Sequence, residues 1–247
     1  MSSDEQPARR YPQRYEDADL RGARFIRSTL EGAVMRGVVL AGADLDSPWL
    51  SEGGSLLVNG VDVAPLVESE LNRRFPGREL RTAGDPEGLR AAWAAVESAW
   101  AAALERVETL PAGTVDVSVD GEWSFAQTLR HLVTATDTWL LGAVQGLERP
   151  YHPLGQPHSE YYTDGYDPSV FSSETPSYAK VLAVRAERQA MVRDYLAGVT
   201  AAELQVSRPN PWAPEYPETT RTCLHTILGE EWDHLRYALR DLDAVTG

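Results

Sequence analysis

The strongest constraint on the fold is a long uninterrupted segment near the C-terminus, residues 220–245, which contains no proline and a single glycine, Gly229. Its apolar residues recur three, four and seven positions apart, at Leu224, Leu228, Leu235, Ala238 and Leu242. This spacing is typical of the apolar stripe of an amphipathic α-helix. We therefore predict one long helix here, whose apolar stripe has to be buried against other helices.

A carboxylate and an imidazole lie beside this stripe, at Glu230 and His234. Because residues four positions apart project from one face of a helix, the two side chains can bind the same metal ion. A third ligand must then come from elsewhere, and the best candidate is His131 in the helical segment 124–145. His225 precedes His234 by nine residues and lies on the opposite side of the helix, so we exclude it as a ligand of that ion.

Interpretations without a metal stay open at this stage. Glu230 would be an ordinary surface residue if it formed an ion pair with Arg130 or Arg236. His131 would be an ordinary core histidine if other groups satisfied the hydrogen bonds of its ring.

Helical periodicity extends over four long segments of the sequence. They span residues 85–109, 124–145, 177–197 and 220–245. Asp85 followed by Pro86 is a helix-start signal, and Ser124 with Gln127 forms a capping box. We therefore predict a mainly α protein with a four-helix bundle over residues 85–247, a fold whose core often holds metal sites.

Composition excludes several classes of function. A formal net charge of −14 argues against nucleic-acid binding, which requires clustered Lys and Arg, and against binding to an anionic membrane surface. The single cysteine, Cys223, excludes an internal disulfide and a cysteine-rich zinc site. The N-terminal segment is too polar for a signal peptide, and no run of apolar residues is long enough to span a membrane. We therefore expect a cytoplasmic protein.

A period of five residues follows a polar tail, residues 1–14, that we expect to be disordered. The large apolar members of this period are Leu20, Phe25, Leu30, Met35, Leu40 and Leu45. The pattern resembles the pentapeptide-repeat family, which implies a short right-handed β-helix segment over residues 15–48. Its expected role is a lid or cap packed on the following domain, with partner binding as the alternative.

A linker, residues 49–84, should connect this segment to the bundle. Asn59-Gly60 between two valines predicts a tight β-hairpin turn, and Pro65 predicts the start of a short helix that ends near Arg74. Further along the chain, alternating valines over residues 115–119 predict a short strand or an extended connection.

The longest irregular segment, residues 146–176, is rich in proline and aromatic residues and should form the mouth of the site. We predict that it binds substrate through His152, His158, Tyr161 and Tyr162. On the last helix, Tyr237 continues the face of Glu230 and His234. It is a candidate catalytic proton donor, or a residue that orients His234.

Two short motifs resemble those of the DinB/YfiT-like metalloprotein superfamily, whose members are four-helix proteins. Trp123-Ser124 enters the second helix ahead of His131, and Glu230 and His234 form the paired motif of the last helix. The resemblance covers about residues 85–245. It implies a metal site with three ligands: His131, Glu230 and His234.

The order of these ligands, His, Glu, His, resembles the mycothiol-dependent maleylpyruvate isomerase branch of that superfamily. This implies a metal-dependent enzyme that activates a low-molecular-weight thiol such as mycothiol, for S-transfer to, or isomerisation of, a small electrophile. Zn²⁺ suits the ligands best, although Ni²⁺, Fe²⁺ and Mn²⁺ accept the same donors. The partners we expect are a small-molecule substrate, a thiol and a second copy of the chain.

Two alternatives to thiol chemistry stay open. The protein could be a non-catalytic stress-response or partner-binding module in which the metal is structural or vestigial. It could also be a metal-dependent hydrolase that activates water with the same three ligands.

Overall fold

The computed structural model describes residues 13–50 and 54–247. Almost all of the predicted disordered tail, residues 1–14, therefore lies outside the described residues, as do residues 51–53 of the predicted linker. The chain divides into two compact units, residues 1–46 and 47–247.

The larger unit contains the five α-helices of the described chain. They are α1 (Ala64–Arg74), α2 (Pro86–Glu108), α3 (Phe125–Thr136), α4 (Tyr178–Gly198) and α5 (Thr220–Thr246). In the bundle formed by the four long helices, α2 packs against α4 and α5, and α3 packs against the same two helices. The prediction of a mainly α protein is confirmed, and the packing places α3 and α5 side by side.

Local sequence signals determine where α2 and α3 begin. The side chain of Asp85 accepts two backbone N–H bonds at the start of α2, and Pro86 occupies the first turn. At the start of α3, the Ser124 hydroxyl accepts from the Gln127 N–H (3.3 Å), and the Gln127 side chain accepts from the Ser124 N–H (3.0 Å). The predicted capping box is therefore formed.

The apolar stripe of α5 is buried along its whole length, as its periodicity predicted. Its members are Leu224, Leu228, Leu235, Ala238 and Leu242. Three tryptophans, Trp93 and Trp100 on α2 and Trp232 on α5, are fully buried in the same core. This core fixes the position of α5 relative to its neighbours.

The second long helix changes its hydrogen-bonding pattern after Thr136. Residues Asp137–Val144 form a π-helix, and the Gln145 N–H donates to the Leu140 carbonyl, five residues earlier (2.9 Å). The sequence predicted a continuous helix over this range and contained no signal for the change. Short π-helical segments are rare and are frequently found near functional sites.

Two short sheets flank the bundle. Strands β1 (Leu57–Val58) and β2 (Val61–Asp62) pair antiparallel across the predicted Asn59-Gly60 turn, in which both residues have positive φ. Strands β3 (Ser207–Arg208) and β4 (Glu218–Thr219) pair across a proline-rich connection.

Of the two alternatives predicted for residues 115–119, the short strand is wrong, and the extended backbone begins only at Val117. The chain instead forms a 3₁₀ turn at Thr114–Asp116, in which the Thr114 hydroxyl donates to the Pro111 carbonyl (2.8 Å). Val115 packs against the core whereas Val117 is exposed, and no neighbouring strand pairs with this stretch among the described residues.

The smaller unit keeps the five-residue period in its backbone. Positive φ angles recur at Asp17, Gly22, Arg27, Gly32, Gly37 and Gly42. The large apolar members of the repeat are 44–59% exposed, and residues 13–50 contain no β-strand. The predicted β-helix is corrected accordingly: a strand requires a hydrogen-bonded neighbour, and six repeats provide too few stacked partners to form a ladder.

Within the described ranges, every helix is too short or too polar to cross a lipid bilayer.

Candidate metal centre

The structure brings together the three side chains that the sequence singled out as metal ligands. His131 projects from α3, and Glu230 and His234 project from α5. One ligand atom of each residue lies within 4.8 Å of the others. The carboxylate lies between the rings: Oε2 of Glu230 is 3.3 Å from Nε2 of His131 and 3.3 Å from Nδ1 of His234.

Backbone oxygens orient both imidazole rings. Nδ1 of His131 is 3.0 Å from the carbonyl oxygen of Gln156, in the loop that follows the π-helix. Because a carbonyl can only accept, Nδ1 is the protonated nitrogen of this contact, and Nε2 faces Glu230. The second ring is held from its own helix, since Nδ1 of His234 is 2.9 Å from the Glu230 carbonyl oxygen.

The electrostatics of the site favour the protonation states that metal ligands need. Burial opposes ionisation of Glu230, but the hydrogen bond from His131 and the charge of His234 outweigh it and lower the pKa of Glu230 to about 2. Burial and the neighbouring His131 lower the pKa of His234 to about 4, against the opposing effect of Glu230. At neutral pH the site therefore contains a carboxylate next to a neutral imidazole.

Aromatic rings line the site on two sides. The Trp123 ring lies 4.5 Å from the His131 ring and 6.1 Å from the His234 ring, measured between centroids. The Tyr237 ring meets the His234 ring edge-on at 5.7 Å, and the guanidinium of Arg236 lies 4.4 Å from the Tyr237 centroid. Trp123 was not predicted as a site residue on its own, although it directly precedes the cap of the helix that carries His131.

The predicted substrate-binding residues have different environments. His158 lies close enough to the site for its charge to contribute to the low pKa of Glu230. Its ring packs 5.5 Å from the ring of Tyr161, which is 3% exposed, whereas Tyr162 is 60% exposed. His152 lies at the other end of α3, where its N–H donates to the Asp137 carboxylate (2.7 Å). For all four residues, a role in substrate binding stays a prediction.

The surface ion pair between Arg130 and Glu230 is not formed. Arg130 donates instead to the backbone carbonyls of Leu154 (2.8 Å) and Gly155 (3.3 Å). His225 lies outside the site, with Nε2 2.8 Å from the carbonyl oxygen of Ala83.

The donor set fits a divalent transition metal. Two imidazoles and one carboxylate are the ligands typical of catalytic zinc sites, which leave at least one coordination position for water or substrate. The half-buried Glu230 carboxylate between two rings gives such an ion a compensating negative charge. The three donors therefore fit a metal centre in which the protein does not fill every coordination position.

Comparison with known protein families agrees with this geometry. The family model of the DinB superfamily matches residues 95–238, and the model of pentapeptide repeats (8 copies) matches residues 16–47. Neither the curated proteins nor the solved structures contain a significant match. The first match covers more than half of the chain and includes His131, Glu230 and His234, so the chain belongs to the DinB superfamily.

Proposed function

We propose that the protein is a metal-dependent enzyme that activates a low-molecular-weight thiol, such as mycothiol, for S-transfer to or isomerisation of a small electrophile. The observation that carries the proposal is the convergence of three nitrogen and oxygen donors within 4.8 Å on adjacent helices. The involvement of a thiol is proposed from the resemblance of the ligand order to the mycothiol-dependent branch of the superfamily.

His131, Glu230 and His234 would hold the metal. The donor types favour Zn²⁺, with Ni²⁺, Fe²⁺ and Mn²⁺ as alternatives. A divalent ion bound there supplies a positive charge that lowers the pKa of a nearby thiol and thereby yields a nucleophile at neutral pH.

The state of the single cysteine supports an external thiol. Cys223 is fully buried, and burial raises the pKa of its thiol to about 11. A protonated, inaccessible thiol is neither a nucleophile nor a metal ligand. If the reaction uses sulfur, a small molecule must therefore deliver it.

The protein's own residues would bind and orient the reactants. The Trp123 ring, whose centroid lies 4.5 Å from that of His131 and 6.1 Å from that of His234, would limit the access of water from that side of the site. Tyr237, next to His234, is the best candidate to hold or donate a proton at the reacting group. His158 would provide a polar contact from the loop side.

Metal content is the first test. Wild type and the variants His131→Ala, Glu230→Ala and His234→Ala are purified identically and measured by elemental analysis. About one equivalent of metal in wild type, lost in all three folded variants, is the expected result. No metal in wild type, or unchanged metal in the variants, would contradict the proposal and favour a partner-binding module.

Product analysis separates thiol chemistry from hydrolysis, which uses the same three ligands. The metal-loaded protein is incubated with a panel of small electrophiles and esters, with and without mycothiol, and the products are identified by mass spectrometry. Thiol-dependent turnover, with sulfur in the product or an isomerised substrate, supports the proposal. Thiol-independent incorporation of solvent oxygen would identify a hydrolase instead.

A further inference from the structure

An arginine on α3 anchors the backbone of the loop that contacts the metal centre. Arg130 donates from Nε to the Leu154 carbonyl (2.8 Å) and from Nη2 to the Gly155 carbonyl (3.3 Å). The Gln156 N–H in turn donates to the Arg130 carbonyl (3.1 Å). Three consecutive loop residues are thus bonded to one residue of the helix.

The start of the same loop is tied to the π-helix. The carboxylate of Asp137 accepts from the His152 N–H (2.7 Å) and from Nε of Arg188 on α4 (2.7 Å). Asp137 and Arg188 are both buried, so this attachment is protected from solvent. The loop is therefore held at both ends of residues 152–156.

Gly155 allows the loop to approach α3 this closely. A Cβ atom at this position would lie 2.5 Å from Oγ1 of Thr134 and 3.0 Å from Cε1 of Phe171. A side chain here would force the loop, or the side chains of Thr134 and Phe171, to shift, because non-bonded atoms do not approach to these distances.

The anchored loop presents one functional group to the metal centre, the carbonyl of Gln156. This oxygen lies 3.0 Å from Nδ1 of His131. A hydrogen bond at this position fixes the rotation of the ring and keeps a proton on Nδ1, so that Nε2, next to Glu230, is the nitrogen that a metal ion would bind. The Arg130 side chain therefore acts on the His131 ring indirectly, by determining where the Gln156 carbonyl lies.

We propose that Arg130 is a positioning residue for the metal centre: by anchoring residues 154–156, it places the Gln156 carbonyl against His131 and selects the ring orientation and tautomer that bind the metal. This inference rests on the proposed metal function and adds a residue to it. Arg130, which precedes the ligand His131, would thus support the metal centre instead of forming a surface ion pair with Glu230.

Metal affinity tests the proposal directly. Arg130→Met keeps the apolar stem of the side chain and removes its hydrogen bonds. The matched control is Arg90→Met, because Arg90 also donates to a backbone carbonyl, that of Leu196 (3.2 Å), outside the metal centre. Titration of the full chain with Zn²⁺ against a competing chelator should show affinity weakened about 10- to 100-fold in Arg130→Met and little changed in the control.

A second readout does not require metal. Long-range ¹H–¹⁵N correlation spectra of the metal-free full chain above neutral pH report the tautomer of each histidine ring. With five histidines in the sequence, single substitutions assign the His131 signals. The Glu230 carboxylate can accept a proton from Nε2 and competes with the Gln156 carbonyl at Nδ1. We therefore expect Nδ1 of His131 to carry a proton in wild type and in Arg90→Met, and the form protonated at Nε2 alone to gain population in Arg130→Met.

A variant on the loop side covers the case in which Arg130→Met fails to fold. Gly155→Ala should disturb the packing of the loop against α3 and, like Arg130→Met, weaken Zn²⁺ binding. Gly84→Ala is its control, because a Cβ atom at Gly84 meets nothing within 4 Å and the backbone there is unstrained.

The outcomes separate this proposal from the proposed function. Wild type that binds none of Zn²⁺, Ni²⁺, Fe²⁺ and Mn²⁺ overturns the metal function, and the positioning role with it. Wild type that binds Zn²⁺ while Arg130→Met and Gly155→Ala keep its affinity and the His131 tautomer overturns the positioning role alone. Equal losses in Arg90→Met or Gly84→Ala would also overturn it, since the effect would then be general destabilisation.

Discussion

Glu230 lies between two imidazole rings, and this placement sets the charge of the whole centre. Its pKa falls to about 2 and that of His234 to about 4, so the groups are an anion and a neutral ring at neutral pH. A metal ion can bind these groups without first displacing a proton from His234. The protonation states that metal ligands need are therefore already present in the protein without a metal.

Cys223 illustrates the opposite case, a potentially reactive residue that the fold makes inert. With its pKa raised to about 11 by burial, only about 0.1% of its thiol is ionised three pH units lower, near pH 8. We predict that a thiol-specific reagent labels Cys223 of the native protein slowly and labels the denatured protein at once. Rapid labelling of the native protein would contradict the buried position and reopen a role for the protein's own sulfur.

At the scale of elements, two buried ion pairs join α4 to its neighbours. Arg185 pairs with Glu231 of α5, and Arg188 pairs with Asp137 at the start of the π-helix. Burial raises the pKa of both carboxyl groups, and the arginine charges oppose this rise. The stability of the interface between α4 and its neighbours therefore depends on both members of each ion pair, because removing one member leaves an uncompensated buried charge, which destabilises the fold.

We predict that Arg188→Met lowers the free energy of unfolding by about 3–5 kcal/mol, because it leaves the buried Asp137 carboxylate without its charged partner. Arg193→Met on the same helix is the control: its ion pair with Glu97 is exposed, and we expect a loss below about 1 kcal/mol. Urea denaturation of both variants measures the difference.

The pH dependence of this effect has a definite sign. Without Arg188 the pKa of Asp137 rises further above its unfolded value, so the folded variant binds a proton more readily than the unfolded chain does. The cost of Arg188→Met should therefore shrink as the pH falls towards the unfolded pKa of aspartate, about 3.9. A cost that grew on acidification would contradict this account of Asp137.

At the scale of the whole molecule, metal binding and stability should be linked. The ligands come from α3 and α5, so an ion bound to all three stabilises the native bundle relative to the unfolded chain. At a free metal concentration about 100 times Kd, the gain is about 2.7 kcal/mol.

We therefore predict that a chelator lowers the Tm of the metal-loaded protein by about 5–10 °C. Scanning calorimetry with and without chelator measures the shift. His234→Ala is the control and should respond little, since it lacks one ligand. An equal shift in His234→Ala would place the metal at another site.

The two units of the chain should differ in their importance for the metal centre. Among the residues that the structure describes, the five α-helices, the hydrophobic core and the three candidate ligands lie within residues 47–247. We predict that a chain starting at Ser47 keeps the helical circular dichroism and the metal content of the full chain. Loss of the helical signal would show that the repeat segment is required for the bundle to fold, and loss of metal alone would show that it is required for the metal centre.

The sequence by itself determined the local features of this protein. Apolar periodicity and capping signals located the long helices, and the four-residue spacing placed Glu230 and His234 on one face. The motif ahead of α3 pointed to His131. These features depend on residues close together in the chain, and neighbouring residues interact through helix geometry that the sequence specifies directly.

Only the tertiary structure decided the rest. His131 and Glu230 are 99 residues apart in sequence, and the pairs of α4 join residues 46 and 51 positions apart. The Gln156 oxygen that orients His131 belongs to the backbone, so its residue type carries no signal. The five-residue period was readable from the sequence, but the β-helix predicted from it is not formed, because a strand exists only where another segment accepts its hydrogen bonds.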